Sequence, residues 1–219
     1  MTHQEVAQFL SQHPDFFDQH PEALLNVAIP HPQDGHAVSL VERQSTILRE
    51  RIRSLELRLT EMLRHGEEND AIADRIVQWA RALLAQTDPA QLPATLLDEL
   101  MRQFSVPFGA VRLWGVAAAY AGEDWARPAG DDIVRLASSM QAPFCGSNVG
   151  FEAAGWMATD PATIRSLAMM PLRVGGDSKA FGLLALGSPD ADRFQITMGT
   201  AFLSRIGELA GAALARLRA

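Results

Sequence analysis

The chain has 219 residues, of which 47% are hydrophobic and 21% charged, and its net charge is −7. This composition is that of a globular protein with room for one full domain and an appendage, and it excludes a low-complexity or disordered chain. The negative charge disfavours a dedicated nucleic-acid-binding protein, because phosphate contacts require clustered positive charge.

Residues 1–36 are predicted to form a helical arm. In FLSQHPDFFDQHPEALLNVAIPH, Pro14 and Pro21 each suit the first position of a short helix, so His13 and His20 become candidate N-cap residues. The preceding MTHQEVAQF lacks the basic-then-apolar layout of a signal peptide. No run in the chain approaches the roughly 18 apolar residues of a membrane helix. We therefore expect a cytoplasmic protein with no membrane partner.

The arm also raises the question of a metal site, since Asp15 and Asp18 lie between His13 and His20. A short helix that starts at a proline does not provide the fixed i, i+4 face of a zinc-binding helix, and no cysteine is nearby to complete a structural zinc set. We therefore expect helix capping and no metal.

Residues 37–86 are predicted to form one long helix that pairs with a second copy of the chain. Apolar residues alternate at spacings of three and four for about four heptads, which is the coiled-coil pattern. In a parallel dimer, Arg51 would face Glu56 of the other copy, an attractive pair. The predicted dimer seam comprises Val38, Val41, Ser45, Leu48, Ile52, Leu55, Leu59 and Met62.

Arginines on the same helix leave a second function open. Three glutamates between residues 42 and 58 reduce their excess to two positive charges, and the arginines spread around the helix, which is typical of a solvated face. A solvated coiled-coil face is therefore favoured over nucleic-acid binding. The alternative is a DNA- or recombination-associated accessory factor. The arginines concerned are Arg43, Arg49, Arg51, Arg53 and Arg58.

Residues 87–219 are predicted to form a mixed domain of helices and strands, because 14 of the 16 glycines follow residue 108. Asp88 and Pro89 begin a helix, PFGAVRLWGV predicts a strand, and a helix is expected at 132–140. SLAMMPLRV-GGDSK-AFGLLALGS predicts a β-hairpin. A closing amphipathic helix is expected from Phe194 to residue 219.

The order of strand, irregular middle, hairpin and closing helix resembles a GAF domain. With the arm included, HPDFFDQHPEALLNVAIPH, GHAVSLVERQSTILRERIRSLE and LALGSPDADRFQITMGTAFLSRIGEL are similar to the DUF484 family of bacterial proteins. The resemblance covers nearly the whole chain and is looser over residues 117–165. It implies an α+β fold, in which a helical arm and a long coiled-coil helix precede a GAF-like antiparallel sheet covered by helices. It also implies a cytoplasmic dimer, and it implies no reaction.

Aromatic and polar residues of the glycine-rich half are expected to line a small-molecule pocket. One of them, Cys145, is the only cysteine of the chain, so no intramolecular disulfide can form. No histidine lies beyond His65 to activate this thiol, so we interpret it as core or pocket lining. The predicted pocket residues are Trp114, Trp125, Phe144, Cys145, Trp156, Arg165 and Met169.

The resulting hypothesis is a non-enzymatic, homodimeric sensory or adaptor protein that binds a small molecule or a protein partner and acts on a separate effector protein. No catalytic residue is predicted, and no cofactor is identified. A GAF-fold enzyme that uses Cys145 is the weaker of the two alternatives, beside the nucleic-acid factor.

Overall fold

The computed structural model describes residues 2–21, 23, 28–30, 37–195 and 200–219. Two compact units divide the chain, at Met1–Glu68 and Asn69–Ala219. The helices are α1 (His3–Gln12), α2 (Phe16–Gln19), α3 (Leu40–Ala85), α4 (Leu92–Phe104), α5 (Asp131–Ser139) and α6 (Ala201–Leu214). The strands are β1 (Ala28–Pro30), β2 (Ala37–Ser39), β3 (Phe108–Leu113), β4 (Phe144–Ser147), β5 (Ser166–Leu172) and β6 (Gly182–Ser188).

The histidines of the arm cap helices at the end opposite to the one predicted. His13 is the C-cap of α1, and its backbone N–H donates to the carbonyl of Phe9 at 3.0 Å. His20 is likewise the C-cap of α2, whose N-cap is Asp15. The N-cap prediction was therefore wrong for His13, whereas His20 also directly precedes the helical Pro21, and its carbonyl accepts the N–H of Ala23 at 3.1 Å. A residue before proline is disfavoured in the helical conformation and so ends a helix as readily as it precedes one.

The long helix begins after a short hairpin. Strands β1 and β2 pair antiparallel, with Ile29 opposite Val38, and α3 starts at Leu40. Val38 was predicted to be the first seam residue of the helix, but it lies in β2 instead. The backbone pairing with Ile29 holds it in an extended conformation, which the heptad spacing alone does not reveal.

Helix α3 runs without interruption through Gly66, and the division between the compact units falls within it, after Glu68. The predicted boundary stood at residue 86. The last turns of α3 belong to the C-terminal unit because Ile76, Trp79 and Leu83 are buried in its core. The indole Nε1 of Trp79 also donates to the carbonyl of Leu96, at 3.1 Å.

The C-terminal unit is built on a four-stranded antiparallel sheet in the order β3-β6-β5-β4. The predicted hairpin is confirmed as β5 and β6, in which Met169 lies opposite Ala185. All seven residues of β6 are buried, since this central strand is covered on both faces. The helical N-terminal region followed by an antiparallel sheet with helices confirms the predicted α+β class.

Two hydrophobic cores lie on opposite faces of this sheet. The helix face is covered by the last turns of α3 together with α4 and α6. Helix α6 lies so close to β5 that a Cβ at Gly211 would meet the carbonyl of Arg173, which only glycine avoids. The turn face is covered by α5 and by the 3₁₀ turn Glu152–Trp156. A ligand bound on the turn face would therefore contact the same sheet that the helices cover on its other face.

Helix boundaries near the two ends of this unit differ slightly from those predicted. Asp88 caps a 3₁₀ turn, with its carboxylate accepting the N–H of Ala90 at 3.0 Å, before α4 begins at Leu92. The closing helix begins at Ala201 and not at Phe194, and Met198 of the predicted apolar stripe lies outside the described residues. In the described part of the chain, no helix combines the length and apolar character that crossing a bilayer requires.

Candidate functional site on the turn face of the sheet

The structure distributes the seven predicted pocket residues over three places. Trp125 and Cys145 contribute to the core of the helix face. Arg165 is exposed at the start of β5. Adjacent strand residues such as Phe144 and Cys145 point to opposite sides of the sheet, so they cannot share one pocket. The four that meet on the turn face are Trp114, Phe144, Trp156 and Met169.

Small and flexible side chains line the turn face around these aromatic residues. Ala110 and Ala185 of the sheet face Ala153 and Ala154 of the covering turn, and Met157 packs among them. Alanine side chains occupy little volume, and a methionine side chain readily changes rotamer to fill or vacate space. This part of the core can therefore adapt its shape to a bound molecule at a lower cost than a core of branched side chains.

Arg112 is the charged residue of this face. It lies on β3 between Ala110 and Trp114, with its guanidinium carbon 5.0 Å from the centroid of the Trp156 ring. Its Nη1 donates to the carbonyl of Arg127 at a long 3.4 Å. Its Nε is shielded from solvent and has no hydrogen-bond partner. Among the described residues, this is the single shielded side-chain nitrogen or oxygen that lacks a partner.

Glu152 holds the cover of the site together. Its Oε1 accepts the backbone N–H of Gly130 at 3.1 Å and the indole N–H of Trp156 at 3.2 Å. These two bonds connect the 3₁₀ turn to the start of α5 and orient the Trp156 ring. The Glu152 carboxylate thus accepts from two neutral donors, and no hydrogen bond joins it to the nearby Arg112.

Burial is the main influence on the charge of Arg112. It lowers the pKa of the guanidinium, and the neighbouring positive charge of Arg127 lowers it further. The carboxylates of Glu152 and Asp124 act in the opposite direction and raise it. Arginine remains protonated under these influences because its ordinary pKa is so high. The site therefore holds a permanent positive charge that is short of hydrogen-bond acceptors.

A cavity of about 440 Å³, the size of many ligand sites, adjoins Glu152. It is also lined by Asn148, Phe151, Ala154 and Ile164. The Asn148 amide donates to the carbonyl of Ile164 at 2.9 Å, and its oxygen accepts the N–H of Gly150 at 3.1 Å. The 3₁₀ turn Glu152–Trp156 therefore provides both the Trp156 ring that contacts Arg112 and the Glu152 side chain that lines the cavity.

Cys145 is buried against the helix face, and burial raises the pKa of its thiol. Since the thiolate is the nucleophile, the folded protein should resist alkylation by iodoacetamide at pH 7.5. We expect labelling to be at least about tenfold slower than in the urea-unfolded chain. Mass spectrometry of timed samples measures both rates. Labelling of the folded protein as fast as that of the unfolded chain would contradict this assignment.

Neither His13 nor His20 joins a metal cluster. Within the described residues, no group of three or more histidine, cysteine, aspartate or glutamate side chains is placed to hold an ion. The ring of His13 instead stacks on Phe9, with their centroids 4.4 Å apart, and His20 packs against Phe16 at 5.0 Å. His31 and His36 lie outside the described residues.

Sequence reasoning missed Arg112, although the signal is present. In PFGAVRLWGV the side chains alternate between the faces of the strand, so Ala110, Arg112 and Trp114 share one face. An arginine between two apolar residues on the buried face of a strand is unusual and indicates a candidate functional position. Glu152 gave no comparable signal, since its role depends on contact with Gly130, a residue of a different segment.

Comparison with known proteins adds a family and several relatives. The model of "Protein of unknown function, DUF484" matches residues 1–218. The uncharacterized protein YigA of Escherichia coli K12 is 25% identical over 213 residues, which cover 92% of this chain and 86% of that protein. YigA of Salmonella typhimurium is 28% identical over 137 residues, or 63% of this chain. The chain spans 54% of the length of this Salmonella relative.

The solved structures similar to this chain include GAF domains. The nlh2 GAF domain of A. Aeolicus, in an inactive state, has a TM-score of 0.48 at 13% identity and covers 68% of this chain and 98% of its own. The GAF domain of an Acinetobacter phosphoenolpyruvate-protein phosphotransferase has a TM-score of 0.47 at 10% identity, with coverages of 66% and 92%. The free methionine-R-sulfoxide reductase of Neisseria meningitidis, in complex with its substrate, has a TM-score of 0.46 at 13% identity, with coverages of 66% and 88%.

Proposed function

This chain belongs to the DUF484 family, and we propose that it is a non-enzymatic, dimeric sensory or adaptor protein of the cytoplasm that binds a small molecule on the turn face of its sheet. The proposal has two parts, dimerisation through α3 and ligand binding in the C-terminal unit. Each part is supported by separate residues and is tested separately.

The observation that carries the proposal is the exposed apolar stripe on α3. Five described residues of the predicted seam have side chains that are between 55% and 70% exposed. Burying each of them in a coiled coil would contribute about 1.5–3 kcal/mol, which is why isolated helices with such stripes associate. The occupant proposed is a second copy of α3 in parallel register. The five residues are Leu48, Ile52, Leu55, Leu59 and Met62.

The ligand part is supported by the unusual polarity of the turn face. Arg112 lies under the Trp156 ring on this otherwise apolar face, with one long hydrogen bond and a shielded Nε that has no partner, which favours a ligand that supplies an acceptor. On the other side of the same sheet, Trp79 and Leu83 of α3 pack against the helix face. A ligand that reshapes the turn face would favour one packing of α3 over another, and so alter what the dimer presents to a separate effector protein.

Native mass spectrometry of freshly purified full-length protein, prepared without a metal-affinity step, tests both parts. We expect a dimer mass with a reproducible additional mass of a few hundred daltons or less, which denaturation releases. The released compound would identify the ligand class directly.

Each result decides a different part of the proposal. A dimer without added mass would overturn the small-molecule part and leave the adaptor function, for which affinity capture of protein or DNA partners is the next step. A monomer at micromolar concentration would overturn dimerisation through α3.

A further inference from the structure

We propose that Arg112 is the anchor of a small organic monocarboxylate, and that the ligand of the turn face belongs to this chemical class. The inference rests on the proposed function and names the ligand of that same face. It stands on the contacts of Arg112, the charge of its surroundings and the space beside the covering turn.

The contacts show unused hydrogen-bonding capacity. A guanidinium has five N–H donors in a planar fork, and Arg112 has one long bond to the Arg127 carbonyl and a shielded Nε with no partner. Leaving such a group unpaired destabilises the folded state, so it persists where another molecule supplies the acceptor. A carboxylate matches the fork with two parallel hydrogen bonds.

The surrounding charge selects a monoanion over a phosphate dianion. Arg127 is already paired with Asp124 on the surface. Arg112 is then opposed by the carboxylate of Glu152, which lies close enough to raise its pKa. Arg112 therefore offers one guanidinium with no carboxylate hydrogen-bonded to it, whereas phosphate sites usually collect several cations and backbone N–H groups. One carboxylate needs one guanidinium, which is what the site offers.

The neighbours select an apolar body for the ligand. The Trp156 ring covers the guanidinium, and Ala110 and Trp114 flank it along the strand. Displacing the ring of Trp156 would place an aromatic or aliphatic group of the ligand against Arg112, while the carboxylate pairs with Nε. The cavity of about 440 Å³ is lined by Glu152 and Ala154 of the same turn and not by Arg112, so a ligand bound at Arg112 reaches it only once the Trp156 ring has moved.

The test is calorimetric titration of the 219-residue protein with benzoate, with benzamide as the neutral isostere and inorganic phosphate as the competing anion. We expect benzoate to bind with a Kd on the order of 1 mM, as befits a fragment, and benzamide and phosphate to bind at least about tenfold more weakly. Arg112→Met should weaken benzoate binding by about ten- to a hundredfold. Arg102→Met, which removes an exposed arginine of α4 that pairs with Glu99, should leave benzoate binding unchanged.

The thermal stability of the Arg112→Met variant provides a second readout. Arg112→Met removes the unpaired donor and keeps an unbranched apolar chain, so its Tm should lie about 2–4 °C above that of the unliganded protein. A merely structural arginine would give the opposite sign.

The outcomes separate this inference from the proposed function. Three results would each overturn the carboxylate assignment. They are equal benzoate binding by the wild type and Arg112→Met, a preference for phosphate, and a lower Tm of Arg112→Met when the wild type does not bind benzoate. A released ligand without a carboxylate, found in the native mass spectrum, would overturn it too while leaving the sensory function intact.

Discussion

The double variant Ile52→Glu/Leu55→Glu is expected to be a monomer at concentrations where the wild-type protein is a dimer. Both side chains are 55% exposed in the single chain and lie at successive seam positions of α3. Each substitution removes apolar burial from both copies, roughly 3–6 kcal/mol per position, and places like charges opposite each other. Since 1.4 kcal/mol is a tenfold change in Kd, the dimer should weaken by more than about a hundredfold.

A matched control lies on the same stretch of α3, beside these seam positions. Leu57 is 66% exposed, as apolar as its neighbours, and outside the predicted seam. Leu57→Glu should therefore leave the dimer intact and retain the same helicity, because glutamate is a good helix former. Light scattering coupled to size-exclusion chromatography measures the mass of both variants, and circular dichroism checks the helix. If Leu57→Glu dissociates the dimer and the double variant does not, the heptad register is wrong.

Truncation of Trp79 is expected to cause the largest loss of stability. The side chain is fully buried between α3 and α4, and its indole N–H donates to the carbonyl of Leu96 at 3.1 Å. Trp79→Ala leaves a large cavity and an unpaired buried carbonyl, which should lower the free energy of unfolding by about 3–5 kcal/mol. Urea titration followed by circular dichroism, at one fixed protein concentration, measures this difference.

The control for Trp79 is on the same stretch of helix. Val77 is 56% exposed, so Val77→Ala should change the free energy of unfolding by no more than about 0.5 kcal/mol. Trp79→Phe should fall between the two, since it keeps most of the apolar volume and loses the N–H donor. A Trp79→Ala protein within about 1 kcal/mol of the wild type would mean that α3 is not anchored in the C-terminal unit.

Local patterns predicted the elements of this protein well. The alternation of three and four along α3, the Gly-Gly turn between β5 and β6, and the Asp88-Pro89 start are all properties of neighbouring residues. The errors lie where another segment intervenes. Val38 follows the heptad pattern, yet its pairing with Ile29 places it in a strand. Burial of Ile76 and Trp79 moved the unit boundary into the helix.

The pocket prediction shows the same limit. Composition pointed to aromatic residues of the glycine-rich half, and four of the seven reach one face of the sheet. Strand alternation, which the sequence does contain, separates Phe144 from Cys145 and groups Arg112 with Trp114. It does not reveal that Trp156 would cover Arg112 or that Glu152 would bind Gly130, because these contacts join separate segments.

The sequence by itself determined the α+β class, the long helix, the hairpin of β5 and β6, the family and the apolar stripe of α3, since periodicity, capping and turn residues act over a few neighbouring positions. Only the tertiary structure decided which strand faces were covered by which segments, where the two compact units divide, and that Arg112 has a shielded Nε without a partner. The physical reason is that burial and hydrogen-bond satisfaction depend on groups brought together from distant parts of the chain, whereas local conformation does not.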